Sequence, residues 1–413
     1  MSAEKRLLVI GGPTASGKTR LALAMAQWLD TEILSADSRQ FYREMNIGTA
    51  KPTREELALV PHHFINQLSI SQSYSAGDFE REALTLLENL FANKDWVVLA
   101  GGSSLFIRAV CQGLDSFPAV SGAIRDQVEA DYRQDGLSPL LEELATGDPA
   151  YYAQVDRANP SRIKRAVSFL RAHGEPFSTY RKGKSAARNF KPVYLCPYWP
   201  REQLYARIDQ RVDAMMKRGL LAEVEGLRPH ARLNALQTVG YKELFAYLDG
   251  THSLKRAVEL IKQNSRRYAK RQMTWMRNEP QWRRIGGGDI ELAKDFIRLI
   301  KEGWQWKTSA EQDAEVFSFQ NGASRMRMSW RTLKNKRLGL IRAEGECSPN
   351  LLEQLSDQAI SIAEGKELWL IIPRDLEPWM DQLDRVSLPI PDWIKENLPD
   401  LKTEGYRAYK LSR

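Results

Sequence analysis

Apolar positions along this chain change rhythm twice, and each change marks a region. Up to about residue 118 the runs alternate in length. Leu7-Leu8-Val9-Ile10, Glu32–Ser35 and Trp96–Ala100 are short and nearly continuous, as strands buried on both faces are. Lys18–Leu29 and Ala76–Asn93 repeat apolar residues every three or four positions, the period of a helix. This alternation predicts a parallel α/β sheet, the first part of a core over residues 1–120. From Ser121 to Arg188 the pattern is helical and polar, broken at Gly136, Gly147-Asp148-Pro149 and Gly174-Glu175-Pro176, so residues 121–190 read as a helical insert. Val193–Cys196 returns as a strand, followed by helices at Arg201–Arg218, Leu221–Leu227, Gly240–Leu248 and Ser253–Arg277. Gly286-Gly287-Gly288 reads as a linker before a helix at Ile290–Lys301, closing the second part of the core, residues 191–309. Residues 310–413 read as a separate small α/β extension. Its expected strands are Val316–Phe319, Met326–Trp330, Leu338–Ile341 and Leu368–Ile372, with a helix at Asn350–Ala363 and no catalytic grouping.

Composition narrows the class. A chain of 413 residues, 43% hydrophobic, holds two or three domains. No run of about 18 apolar residues predicts a membrane span, and Met1–Arg6 leads into the first strand without a signal-peptide pattern. Cys111, Cys196 and Cys347 lie far apart with no metal-ligand spacing, and read as reduced thiols in a cytoplasmic protein. His62-His63 has no cysteine pair beside it, so no zinc pattern forms. The net charge of +8 is uneven: residues 310–413 hold 15 basic and 17 acidic residues, so the rest carries the whole positive excess. Lys255–Arg284 alone holds ten basic and two acidic residues, which points to a polyanionic partner.

The chemistry begins at Gly12-Pro13-Thr14-Ala15-Ser16-Gly17-Lys18-Thr19, between the first strand and the first helix. This is G-x-x-x-x-G-K-[ST] in a strand–loop–helix setting, a phosphate-binding loop. Its N–H groups and the helix N-terminus attract a diphosphate or triphosphate, Lys18 adds a point charge, and Thr19 is the expected Mg²⁺ ligand. Asp37, directly after the second strand, lies at the carboxyl edge of such a sheet; it reads as a general base or metal ligand, or else as a helix N-cap. Gly48-Thr49-Ala50-Lys51-Pro52 offers a hydroxyl and an ammonium for the same anion, and Gly101-Gly102-Ser103-Ser104 makes a second glycine turn at the same edge. On the helix Ser253–Arg277, Lys262, Arg266, Lys270 and Arg277 flank one side of the apolar face, while Arg256, Arg267 and Arg271 flank the other. Only Glu259 and Glu279 oppose these charges in sequence, which suits contacts to a phosphate backbone.

Taken in order, these motifs resemble the bacterial tRNA dimethylallyltransferases, the IPP transferase family. The resemblance rests on Gly12–Thr19, Asp37-Ser38-Arg39-Gln40-Phe41-Tyr42, Gly48–Pro52, His62-His63, Tyr74-Ser75-Ala76-Gly77-Asp78-Phe79 and Gly101-Gly102-Ser103. Val239-Gly240-Tyr241 and Arg267–Trp275 extend it, so that it covers about residues 5–285. It implies a phosphate-loop α/β fold and transfer of a dimethylallyl group from dimethylallyl diphosphate to N6 of an adenosine beside the anticodon. It further implies that the loop holds diphosphate, that Asp37 takes the N6 proton and that Ser103 lies near the leaving oxygen. Asp37, Ser38, Arg39, Gln40, Ser103, Arg125, Ser161, Arg162, Ile163, Lys164, Arg165, Gln237, Thr238, Val239, Gly240, Tyr241 and Lys242 fall where the family contacts tRNA, and the basic helix adds Arg267 and Arg271. The implied partners are the tRNA anticodon stem-loop and the diphosphate donor, with Mg²⁺ as cofactor, no membrane and a monomeric chain.

There are departures from the family pattern. Ser103 replaces a usual Thr, Gln237 stands where many members have Arg, and residues 310–413 run past the family's usual end. Rival readings are an adenylate isopentenyltransferase acting on free AMP, ADP or ATP, a small-molecule phosphate-loop kinase, and a non-enzymatic RNA-binding protein. The basic helix and the insert speak against the first, the second glycine turn and the basic helix against the second, and the convergence of Asp37, Ser103 and the phosphate loop against the third.

Overall fold

The computed structural model describes residues 4–183, 186–279, 281–311, 314–333, 336–344, 347–362, 367–373, 376, 387–388 and 406–411. It divides into two compact units, one made of Met1–Ile107 with Asn189–Arg413 and the other of Arg108–Arg188.

The first unit is built on six parallel strands in the order β3-β2-β4-β1-β5-β6. They are β1 (Arg6–Gly11), β2 (Ile33–Ser35), β3 (His62–His63), β4 (Trp96–Gly101), β5 (Lys191–Tyr198) and β6 (Arg283–Gly286). Leu7, Leu8, Val9 and Ile10 in β1 are completely buried, as a central strand covered on both faces requires. β1 and β4 run in register so that Gly11 pairs with Gly101, which brings the phosphate loop and the second glycine turn out at the same sheet edge. Helices α1 (Lys18–Trp28), α2 (Arg54–Leu59), α3 (Ala76–Phe91) and α4 (Ser104–Gln112) link the early strands. Thr53 and Ser75 form capping boxes that start α2 and α3.

The other unit is helical: α5 (Gly122–Asp135), α6 (Ser138–Gly147), α7 (Pro149–Gln154) and α8 (Pro160–His173) close around Val128, Leu140, Leu144, Ile163, Val167 and Phe169. Its boundaries fall at 108 and 188, so it begins within α4 rather than at 121.

Back in the first unit, α9 (Arg201–Lys217), α10 (Leu220–Gly226), α11 (Tyr241–Leu248), α12 (Leu254–Asn278) and α13 (Ile290–Lys301) follow β5. The triglycine is not a bare linker, since Gly286 ends the edge strand β6, whose partner is β5. Neither β3 nor β6 is visible as a strand in the apolar pattern, because one is two residues long and the other carries two arginines.

Among its described residues the C-terminal region holds seven strands where four were expected: β7 (Gln305–Glu311), β8 (Ala314–Asn321), β9 (Ser324–Leu333), β10 (Lys336–Glu344), β11 (Glu367–Pro373), β12 (Ser387–Leu388) and β13 (Tyr406–Leu411). The expected boundary at 310 falls inside β7. Helix α14 (Pro349–Ile362) presents Leu351, Leu352 and Leu355 to a core that also contains Ile10, Leu21, Phe296, Phe319, Met328 and Leu370. This sheet therefore shares one hydrophobic core with the parallel sheet rather than standing apart. No helix among the described residues is long and apolar enough to cross a membrane.

Candidate functional site

The phosphate loop is braced from outside by its own carbonyls. Lys18 Nζ donates to Pro13 O at 2.8 Å, Arg207 Nε to Ala15 O at 2.9 Å, and Trp199 Nε1 to Ser16 O at 2.8 Å. Arg207 also lies 4.2 Å from the Trp199 ring centroid. Gly17 takes the left-handed conformation, φ 96°, that lets the chain turn directly into α1. The N–H groups of that helix's first turn have no intrahelical acceptor and face an open basin of about 400 Å³ lined by Lys18, Thr19, Arg207 and Arg211. Burial, and secondarily the Arg211 charge, push the Lys18 ammonium down to about 8. The basin is thus short of negative charge.

Gln272 of α12 ties the two glycine turns together. Its Oε1 accepts from Thr14 N at 2.9 Å, and its Nε2 donates to Gly102 O at 2.8 Å. Ser103 follows directly: its Oγ accepts from Ser38 N at 3.1 Å and lies 3.4 Å from Ser38 Oγ. Asp37 accepts from Arg39 N through Oδ1 at 3.0 Å; among the described residues its other oxygen takes no hydrogen bond. Asp37 is therefore not a helix cap but closes a small turn, with one oxygen available to a substrate proton.

A cavity of about 250 Å³ opens on Asp37. Its polar wall is Thr14, Asp37, Ser38, Arg39 and Arg211, and its apolar wall includes Ile208, Val212, Met215, Leu220 and Ile261. Thr238, Val239 and Gly240 close one side at the start of α11. Arg211 borders both this cavity and the phosphate basin. Burial lowers its pKa while Asp37 opposes that shift, and among the described residues nothing hydrogen-bonds its guanidinium. Sequence reading missed Arg211, Arg207, Gln272 and Tyr268 as site residues. The signal within reach was their spacing, since Tyr268 and Gln272 lie four apart on one helix, as do Arg207 and Arg211.

Several residues expected to touch a ligand do other work. Lys51 is turned inward: its ammonium donates to Tyr42 O at 2.5 Å and to Asn66 Oδ1 at 2.6 Å, so it does not reach the anion site. Gln40 spends its amide on Ser35 Oγ and on the carbonyls of Thr49 and Ala50. Tyr241 is completely buried, with its hydroxyl 2.6 Å from Glu223 Oε1. Gln237 donates to Ala231 O at 2.7 Å, while Lys242 is exposed. On α12, Arg266 pairs with Asp209 at 2.5 Å and Lys262 with Asp213 at 2.6 Å. These two cations are thus balanced by carboxylates on α9, contrary to the reading that only Glu259 and Glu279 oppose the helix. Arg267 stays exposed, and Arg271 lies 5.6 Å from the Tyr268 ring centroid.

Within the helical unit, Ile163 is completely buried and serves the core, not a surface. Lys164 pairs with Glu129 at 2.5 Å, and Arg165 rests against the rings of Phe117 and Phe177 at 5.1 and 5.4 Å. Arg162 and Ser161 are exposed at the start of α8, and Arg125 donates to Val120 O at 2.8 Å.

Among the described residues no group of three His, Cys, Asp or Glu side chains is placed to hold a metal. Thr19 shares a small pocket of about 50 Å³ with Ser35, Asp37 and Gln40. That suits Mg²⁺, which keeps most of its waters and needs few protein oxygens beside phosphate.

The IPP transferase family model matches residues 40–279. The chain belongs to this family. A tRNA dimethylallyltransferase of Christiangramia forsetii is 46% identical over 275 residues, covering 67% of this chain and 91% of its own length. One from Flavobacterium johnsoniae is 47% identical over 282 residues, with the same coverages of 67% and 91%. A solved tRNA isopentenylpyrophosphate transferase of Bacillus halodurans is 33% identical, with TM-score 0.54 over 73% of this chain and 96% of its own. The family match ends before β6, and the matches to the Christiangramia and Flavobacterium enzymes leave about a third of this chain uncovered.

Proposed function

We propose that this member of the family transfers a dimethylallyl group from dimethylallyl diphosphate to N6 of the adenosine 3′-adjacent to the anticodon, position 37, in tRNA. One observation carries the reading: Asp37, with an open carboxylate oxygen, lines a cavity with one polar and one apolar wall, and Arg211 borders both that cavity and the cationic basin beside Lys18 and Thr19. The relatives named above are tRNA dimethylallyltransferases, which supports the same acceptor.

The chemistry follows from the arrangement. N6 of the acceptor attacks C1 of the dimethylallyl group, forming the N–C bond as the C–O bond breaks. The N6 proton passes to Asp37, which lifts the nucleophilicity of a weak exocyclic amine. The diphosphate leaves with the bonding electron pair. Lys18, Arg211 and the loop N–H groups stabilise that charge where it develops. Thr19 would hold Mg²⁺ beside the diphosphate, and the ion would supply further charge neutralisation there. Ser103 Oγ accepts from Ser38 N, the residue after Asp37, and its hydroxyl would serve the leaving diphosphate oxygen.

The test is label transfer. Wild-type protein is given labelled dimethylallyl diphosphate with either bulk tRNA lacking the modification or AMP. Label in tRNA alone is the expected result. Label in AMP alone would move the protein to the adenylate isopentenyltransferases, and ATP hydrolysis at a rate matching prenyl transfer would overturn the diphosphate assignment. Asp37→Ala should slow single-turnover transfer by about 10²–10⁴-fold with little change in tRNA binding.

A further inference from the structure

The cavity beside Asp37 has a single aromatic wall. Of the described residues lining it, Tyr268 alone carries a ring. Helix α12 fixes that ring's place, because one turn later Gln272 is bonded to both Thr14 N and Gly102 O. Tyr268 as a residue is 37% exposed, although its neighbours on the same helix, Ala269 and Gln272, are buried. Tyr268 lines the same cavity as Asp37, and burial, then the charge of Asp37, holds its phenol up to about 12. Arg271 lies 5.6 Å from the ring centroid, and the remaining exposure of this large ring falls beside the reacting groups.

We propose that the Tyr268 ring is the surface on which the acceptor base stacks as it enters the cavity beside Asp37. This rests on the function proposed above. An adenine drawn out of an anticodon loop loses its stacking neighbours, and an aromatic face at the entrance replaces them. The ring borders the same cavity as the Asp37 carboxylate, so a base stacked on it is presented with N6 toward that carboxylate. Stacking on one aromatic side chain is worth about 5- to 150-fold in affinity.

The experiment uses the full chain and an anticodon stem-loop RNA with 2-aminopurine at the acceptor position. This base lacks the N6 amine, so it binds without reacting, and its fluorescence falls when it stacks on a ring. Wild type and Tyr268→Phe should quench it; Tyr268→Leu and Tyr268→Ala should not, and both should bind the RNA more weakly by about 5- to 150-fold. Diphosphate affinity should stay unchanged in all three, which checks that the site is intact. Quenching by Tyr268→Ala equal to wild type overturns the proposal, as does loss of quenching in Tyr268→Phe as complete as in Tyr268→Ala. A parallel reaction on the adenosine-containing stem-loop separates the two ideas. If wild type transfers no label, the functional reading falls; if it does and Tyr268→Ala matches it in KM and quenching, only the stacking role falls.

Discussion

Gln272 is the most exposing place to test this site, because one amide holds both glycine turns. Gln272→Met keeps length and volume while removing donor and acceptor. Thr14 N–H and Gly102 C=O then lose partners at 2.9 and 2.8 Å beneath a side chain only 8% exposed. Leaving a buried polar backbone group unpaired costs about 1–3 kcal/mol, so the two together should cost about 2–4 kcal/mol after partial relaxation. Urea unfolding followed by tryptophan fluorescence reads this directly, and Trp275 and Trp282 lie close by in sequence. Because Thr14 belongs to the phosphate loop, KM for dimethylallyl diphosphate should rise more than KM for tRNA. Gln272→Glu keeps an acceptor for Thr14 N–H but offers Gly102 O no donor and adds a negative charge beside the diphosphate. Its donor KM should exceed that of Gln272→Met. A Met variant within about 0.5 kcal/mol of wild type, with unchanged donor KM, would refute the idea that this amide sets the loop.

Three further outcomes follow from the same geometry. Burial lowers Lys18 to about 8, whereas a bound polyanion favours the ammonium. Binding therefore takes up a proton only where free Lys18 is neutral, so diphosphate affinity should fall above about pH 8, by at most about tenfold per pH unit from this group. Lys18→Arg, charged throughout, should show a shallower decline by titration calorimetry; equal slopes would remove Lys18 from the linkage. For the basic helix, Arg267→Ala with Arg271→Ala should flatten the log–log dependence of tRNA affinity on salt by about one to two units. Lys262→Ala with Arg266→Ala, whose cations answer Asp213 and Asp209, should flatten it less. Glu223→Ala strips acceptors from the N–H groups of Asn46, Ile47 and Gly48 and from the Tyr241 hydroxyl, and should cost about 3 kcal/mol or more. Hydrogen exchange at those three amides should quicken; unchanged protection would show that Glu223 does not hold the cavity's Gly48–Thr49 wall.

The parallel sheet and the phosphate loop were legible because they are written locally. A buried strand is a short apolar run, and a loop that wraps phosphate needs glycines at fixed spacing. The placement of Asp37 and Ser103 at one sheet edge was legible for the same reason, since each follows a strand that ends there. Arg211 and Tyr268 were not, because their importance lies in what α9 and α12 bring opposite that edge. The charge of α12 was misread for a similar reason: Asp209 and Asp213, which answer Arg266 and Lys262, lie on another helix some fifty residues earlier. Tyr241 and Ile163 show the converse error, in which a motif position was taken for a contact surface although both side chains are completely buried.

The C-terminal sheet shows how a segment beyond the family match enters the core. Arg283 on β6 is completely buried, and a guanidinium so placed must be fully paired. Its partners come from α14: Gln354 Oε1 at 2.8 Å, Gln358 Oε1 at 2.9 Å and Asp357 Oδ2 at 3.1 Å. Gln354 in turn donates to Leu292 O on α13 at 3.0 Å. The residue before Arg283 is Trp282, whose ring lies against Gly11 so closely that no Cβ would fit there. Gly11 ends β1 and opens the phosphate loop. An unbroken chain of contacts thus runs from α14 through Arg283 and Trp282 to Gly11 at the start of the glycine-rich loop. The edge strand of the catalytic sheet depends for its one buried charge on a helix that the family match does not include. The extension is therefore part of what holds the phosphate loop in place, while its slight acidic balance leaves the polyanion to the basic remainder of the chain.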